Sequence, residues 1–169
     1  MKCVILQPSY LPWRGYFHRI READVFLFYE DVQYDKGGWR NRNRVKAPGG
    51  SQWSTIPFRH KGTPQLKTKI EEIEICWARD WPRKHAATLR HLYSGAPHFE
   101  RYSGLLEGLP SSGPTRLADF TIESTRVLAE ALGTGDMRFV RASSIPRPSA
   151  RSYLDGQRLE EAGIWGKLG

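Results

Sequence analysis

The sequence predicts an α/β fold: a small mixed, partly parallel sheet with flanking helices, in one domain spanning residues 1–169. Three observations predict it. Val4-Ile5-Leu6 and Val25-Phe26-Leu27-Phe28-Tyr29 are apolar runs of strand length. Between them lie a proline-rich loop and a short stretch with helical spacing, the order of a β-α-β crossover with parallel strands. Late in the chain a long amphipathic helix pattern precedes a further strand-like run.

Taken in order, the first strand stops at Gln7-Pro8, because proline cannot continue a ladder. Pro8 to Gly15 holds two prolines and a glycine and reads as loop. Tyr16 to Ala23 carries Phe17 and Ile20 at helical spacing, and the β-branched and aromatic run Val25 to Tyr29 follows as a second buried strand. Gln52 to Phe58 reads as a strand, and Glu72-Ile73-Glu74-Ile75 alternates as a strand with one wet face would. Trp81 to Tyr93 reads as a helix with Pro82 in its first turn and Trp81, His85, Leu89 and Leu92 on one stripe. Leu105 to Thr115, rich in Gly, Ser and Pro, is expected to be loop. Leu117 to Leu132 is the strongest helix pattern: Leu117, Phe120, Thr121, Ser124, Leu128 and Ala131 share a face, and Gly133 is a ready C-cap. Met137 to Arg141 reads as a last strand, and Leu154 to Ala162 as a helix in the tail.

Composition narrows the function classes. Hydrophobic residues at 39% and aromatics at 12% suffice for a core and speak against disorder. With 26 Lys and Arg against 18 Asp and Glu, the net charge of +8 favours anionic partners. Cys3 and Cys76 have no paired spacing, which excludes a disulfide scaffold and fits a reducing compartment. No apolar run is long enough to span a bilayer and no signal-peptide pattern opens the chain, so a cytoplasmic protein is expected.

Three constellations could carry chemistry. Gln7 to His18 would sit where ligands bind in parallel sheets, beyond strand ends and at a helix start; there Gly15 allows close approach, while Arg14 and His18 could meet phosphate or carboxylate. The bland alternative is an aromatic loop packed by its prolines. Glu30-Asp31-Val32-Gln33-Tyr34 ends the second strand, either as a polar strand end in solvent or with Asp31, and Gln33 on its side, facing a cleft. Lys36 to Lys46 opens a stretch to Ile70 with nine Lys or Arg and no Asp or Glu. If that ribbon is extended, Arg40, Arg42 and Arg44 face one way and Trp39, Asn41 and Asn43 the other. Guanidinium groups pair with phosphate or carboxylate, although a solvated edge strand is the usual explanation of a charged run. None of the five histidines has metal-site spacing, His85 reads as a packed core histidine, and neither a metal nor a cofactor is expected.

With these residues assembled, the chain resembles the WbqC-like protein family. The likeness is carried by Gln7-Pro8 with Tyr10, Pro12, Gly15, Tyr16 and Phe17, by Asp31-Val32-Gln33-Tyr34, and by Trp39-Arg40-Asn41-Arg42-Asn43-Arg44. Trp53 to Pro57, Trp81, His85, Tyr93, Ala96-Pro97 and Phe99 continue it. The resemblance implies a glycyl- or aminoacyl-type group transferase in surface-polysaccharide or natural-product biosynthesis. It also implies a further strand and helix after Ser143-Ser144. Here Arg147 to Asp155 follow almost at once, so the C-terminal part, about 143–169, is expected to be abbreviated. The start of the chain is also similar in plan to nucleotidylyltransferases, though their His-x-Gly-His motif is absent.

The leading expectation is therefore a transferase for an anionic small molecule, a nucleotide sugar or an activated amino acid. Asp31, Asn41 and Asn43 form its expected catalytic set. Gln7, Tyr10, Arg14, Gly15, His18, Gln33, Trp39, Arg40, Arg42 and Arg44 are its expected binding set. A basic nucleic-acid-binding module, with aromatic and basic residues interleaved from Trp39 to Trp53, is the second reading. A non-catalytic partner in a biosynthetic complex is the third.

Overall fold

The computed structural model describes residues 1–59, 68–109, 115–134 and 137–146. Strand β1 (Cys3–Leu6) leads through helix α1 (Arg14–Glu22) to β2 (Val25–Phe28). The two strands pair in parallel, from Cys3 opposite Val25 to Leu6 opposite Phe28. Strand β5 (Arg138–Arg141) pairs with the other edge of β2, also in parallel, giving the order β1-β2-β5. The expected crossover is present, with α1 starting two residues ahead of Tyr16.

The central strand explains its own sequence. Phe26 and Phe28 pack on one face with Tyr16 and Ile20 of α1, while Val25 and Leu27 pack on the other with Ala142 and Ile145. A strand buried on both faces needs an unbroken apolar run, and that is what Val25 to Phe28 supplies. Just beyond it, the fully buried Glu30 carboxylate accepts hydrogen bonds from Arg141 Nε (3.3 Å), the Ala142 N–H (3.2 Å), the Ser143 N–H (3.2 Å) and Ser143 Oγ (2.6 Å). Glu30 thus fastens the end of β2 to the end of β5.

A second, antiparallel sheet is the hairpin of β3 (Arg42–Ala47) and β4 (Gly50–Thr55), with Arg42 opposite Thr55 and Ala47 opposite Gly50. Pro48-Gly49 forms its tip. Proline presets the first central position, and Gly49 takes φ +79°, which a type II turn requires at the second. Helices α2 (Trp81–Tyr93), α3 (Phe99–Gly108) and α4 (Leu117–Ala131) are the other α-helices among the described residues. A core cluster of Tyr10, Tyr34, Ile56, Ile70, Ile73, Ile75, Trp81, Leu117 and Phe120 joins the loop after β1 to the hairpin, α2 and α4.

Several expectations are corrected. The span expected to be loop from Leu105 begins inside α3; Phe99 is buried and Glu107 is paired to Arg90 of α2 at 2.7 Å, so packing overrides the glycines. Glu72 to Ile75 buries Ile73 and Ile75 as the alternation requires, but no ladder forms. Ile70–Glu72 is a 3-10 turn, and only isolated bridges join Glu74 to Arg116 and Ile75 to Phe58. On α4 the buried stripe drifts: Ile122, Thr125 and Ala129 are buried, while Leu128 and Ala131 are half-buried. Gly133 does cap α4, its φ of +75° letting the Thr134 N–H return to the Ala129 carbonyl at 2.9 Å. The Leu154 to Ala162 helix and nearly all of the part expected to be abbreviated lie outside the described residues.

Candidate ligand-binding site

A pocket of about 680 Å³ opens at the carboxyl ends of the parallel strands. That volume lies within the range of small-molecule sites, and its position is where parallel α/β sheets bind ligands. Ile5, Leu6 and Gln7 form its floor at the end of β1, and Tyr29 follows β2. Trp13, Gly15, Tyr16 and Arg19 bring in the start of α1; Ser9 and Pro12 belong to the loop before it. Trp39, Arg40 and Asn43 close the remaining wall.

Each wall has a local cause. Gly15 lets the Trp13 indole lie across the first turn of α1, because a Cβ there would displace that ring. The N-cap residue Trp13 offers no side-chain cap, so among the described residues the first turn of α1 presents N–H groups without a side-chain acceptor beside the pocket. The half-buried Arg40 is held on four sides. Its Nε donates to Asp35 Oδ1 (3.2 Å), and its Nη1 donates to the carbonyls of Gln7 (3.2 Å) and Pro8 (3.3 Å) and to Ser9 Oγ (2.8 Å). One guanidinium thereby ties the loop after β1 to the segment before β3.

Asn43 shapes the same loop. Its Nδ2 donates to the Tyr10 carbonyl (3.1 Å) and the Leu11 carbonyl (2.6 Å), while its Oδ1 accepts from the Arg44 N–H (2.7 Å). Between those carbonyls the backbone is strained: Leu11 has φ +44°, a region that branched side chains rarely enter. The carboxamide is one of the groups that hold it there. The Tyr10 N–H donates to the Trp39 carbonyl (3.1 Å), which fixes the base of the Trp39 wall.

Beneath the loop, the Tyr10 hydroxyl is hydrogen-bonded to Ser54 Oγ (3.0 Å) and to His85 Nδ1 of α2. Burial pushes the Tyr10 hydroxyl well above its ordinary pKa and lowers His85 from 6.5 to about 4. Both are therefore neutral at physiological pH. His85 is buried among Tyr10, Trp81 and the hairpin, the packed core histidine that its stripe predicts.

Five of the residues singled out from the sequence meet at the pocket: Gln7, Gly15, Trp39, Arg40 and Asn43. Tyr10 lies under it. The others are elsewhere. Asn41 is buried beneath the hairpin, accepting from the Tyr34 hydroxyl (2.9 Å) and donating to the Ile56 carbonyl (3.0 Å). Arg42 and Arg44 lie against Trp53, with their guanidinium carbons 4.4 Å and 5.2 Å from its ring centre. The expected grouping of Arg40 with Arg42 and Arg44 is corrected, because β3 begins only at Arg42 and the strand alternation does not reach Arg40. Arg14 and His18 are exposed on α1, and Gln33 is exposed and bridged to Lys69. Asp31 is buried and is not among the pocket-lining residues.

Ser9, Trp13, Arg19 and Tyr29 line the pocket without having been picked out as site residues. Arg19 had a legible signal, since it stands four residues after Gly15 and so shares its helix face. Tyr29 had a weaker one as the last residue of an apolar run. Among the described residues, no group of three or more His, Cys, Asp or Glu is arranged to hold a metal ion, and no helix is long and apolar enough to cross a membrane.

The loop after β1, the Asp31 to Tyr34 segment and the Trp39 to Arg44 ribbon that build this region are the segments carrying the family likeness. The model of the WbqC-like protein family matches residues 7–164, and the chain belongs to that family. It is also similar to "Uncharacterized protein Rv1507c" of Mycobacterium tuberculosis (strain ATCC 25618 / H37Rv). The two are 33% identical over 193 aligned residues, covering 96% of this chain and 79% of that protein. The aligned stretch is longer than this chain, so the relative carries residues within it that this chain lacks. No solved structure matches the chain.

Proposed function

We propose that the pocket binds an anionic, ring-bearing small molecule, a nucleotide-linked sugar or an activated amino acid, and that the protein transfers a group from it to an acceptor. The observation that carries this reading is the charge of the lining: among the described residues, Arg19 and Arg40 line the pocket and no carboxylate does. Trp13, Tyr16, Tyr29 and Trp39 supply aromatic walls suited to a base or sugar ring. The uncapped start of α1 adds a positive dipole end beside them. Surface-polysaccharide or natural-product biosynthesis is the setting that family membership suggests.

In this reading an amine or hydroxyl of the acceptor forms a bond to the transferred carbon as that carbon's bond to the donor's phosphate oxygen breaks. The electron pair goes to the phosphate, whose charge Arg40 and Arg19 stabilise, and the nucleophile's proton leaves to the phosphate or to solvent. Arg40 is preorganised for this, because its bonds to Asp35 and the loop fix it before the donor arrives. Positioning and charge stabilisation supply the rate gain. In this reading Asp31, off the lining, takes no part in the step.

Turnover of nucleotide sugars and aminoacyl phosphates by the purified protein tests the reading. Arg19→Gln is expected to lower kcat/KM by about 100-fold, and Asp31→Asn to leave it near wild type. Equal turnover by Arg19→Gln and wild type would remove the assignment. Saturable binding without turnover would leave a binding module and remove the transferase.

A further inference from the structure

The hairpin has a second face that the pocket does not use. Arg42, Arg44 and Lys46 alternate along β3, with Trp53 directly opposite Arg44 on β4. Arg44 and Lys46 are exposed, Arg42 is half-buried, and Trp53 keeps 45% of its surface in solvent. Among the described residues none of the three cations is paired with a carboxylate; Arg42 donates to the Gly37 carbonyl at 2.6 Å. Both guanidinium groups are held against the Trp53 indole. Trp39, itself 48% exposed, stands next to it with ring centres 5.5 Å apart.

We propose that this outer face is a docking site for single-stranded nucleic acid. The spacing favours that partner. Side chains on one face of a strand repeat every two residues, about 6.8 Å. This is close to the distance between successive phosphates in an extended single strand, so Arg42, Arg44 and Lys46 can each meet one phosphate once the two guanidinium groups leave the Trp53 ring they share. Two neighbouring indoles at one end offer the aromatic surface on which bases stack. A duplex holds its bases away from such rings, and an acidic peptide has no planar group for them. The site shares the Trp39 ring with the pocket but no cation, and it does not depend on the transferase reading.

The test uses the full-length chain and a fluorescently labelled uridylate oligomer of about 12 nucleotides. Its comparison ligands are a duplex and an oligoglutamate peptide of similar length. The oligomer is expected to bind with quenching of tryptophan emission. Three neutralised phosphates give a log–log slope against salt of about −2. Arg44→Gln with Lys46→Gln, both at exposed positions, is expected to keep the melting temperature, weaken binding at low salt at least about 10-fold and bring the slope to about −0.7. Arg19→Gln is expected to leave oligomer binding unchanged. Absence of binding at low salt, equal binding by the double variant, equal binding of oligoglutamate, or parallel loss in Arg19→Gln would each overturn the proposal.

Discussion

On the inner side of the hairpin region, Asn41, Asn43 and Ser54 have their polar atoms engaged by the Tyr34 and Tyr10 hydroxyls and by the carbonyls of Tyr10, Leu11 and Ile56. On the outer side, Arg42 and Arg44 lie against Trp53, and Arg44, Lys46 and Trp53 are exposed to solvent. The same run of alternating amides and cations therefore builds two unlike surfaces. Asn43 shapes the pocket loop from behind, Asn41 ties Tyr34 to Ile56, and Arg44 and Lys46 stay open to solvent. A polar side chain that reads as a candidate catalyst is, on the buried side, a positioning group whose bonds are already made.

The sharpest way to break this contrast is Asn41→Ala. It leaves the Tyr34 hydroxyl and the Ile56 carbonyl buried without their partner, and should destabilise the fold by about 4 kcal/mol in urea titrations. A loss below about 1 kcal/mol would mean that the inner side is not structural.

The next effect is a pH dependence. Below 6.5 the unfolded chain protonates its histidine, while folded His85 resists until about 4. This contribution is fully present above 6.5, falls as the pH drops toward 4, and totals about 3 kcal/mol. The stability difference between wild type and His85→Phe, measured across that window, should follow it. A difference that does not change with pH would contradict the buried, neutral pairing with Tyr10. Asn43→Ala comes third, costing about 2 kcal/mol as the Tyr10 and Leu11 carbonyls lose their donor. Smallest is Arg44→Gln, which should stay within about 0.5 kcal/mol of wild type.

Much of the frame was legible because its causes are local. A doubly buried parallel strand requires the apolar run Val25 to Phe28, and Gly133 marks the end of α4 through its own backbone angle. The pocket was legible where the loop and helix start are written in Gln7, Gly15 and Trp39. What escaped was set by distant contacts. Leu105 to Gly108 is helical because α3 packs on α2, against the sign of its glycines. Arg40 parts from Arg42 and Arg44 because the ladder starts only at Arg42, two residues later, and its direction comes from Asp35, Gln7, Pro8 and Ser9. Of the adjacent acids Glu30 and Asp31, alternation could not say that Glu30 would be met by the backbone after β5.

The division of labour between the two sides can be read directly from the six tryptophan indole N–H signals in a nitrogen–proton correlation spectrum. Titrating a panel of nucleoside diphosphate sugars and aminoacyl nucleotides should find at least one compound that saturably shifts Trp13 and Trp39, and Arg19→Gln should weaken that response. If compounds shift Trp53 alone, or if none moves Trp13 or Trp39, the pocket at the strand ends is not where this protein holds its anionic ligand.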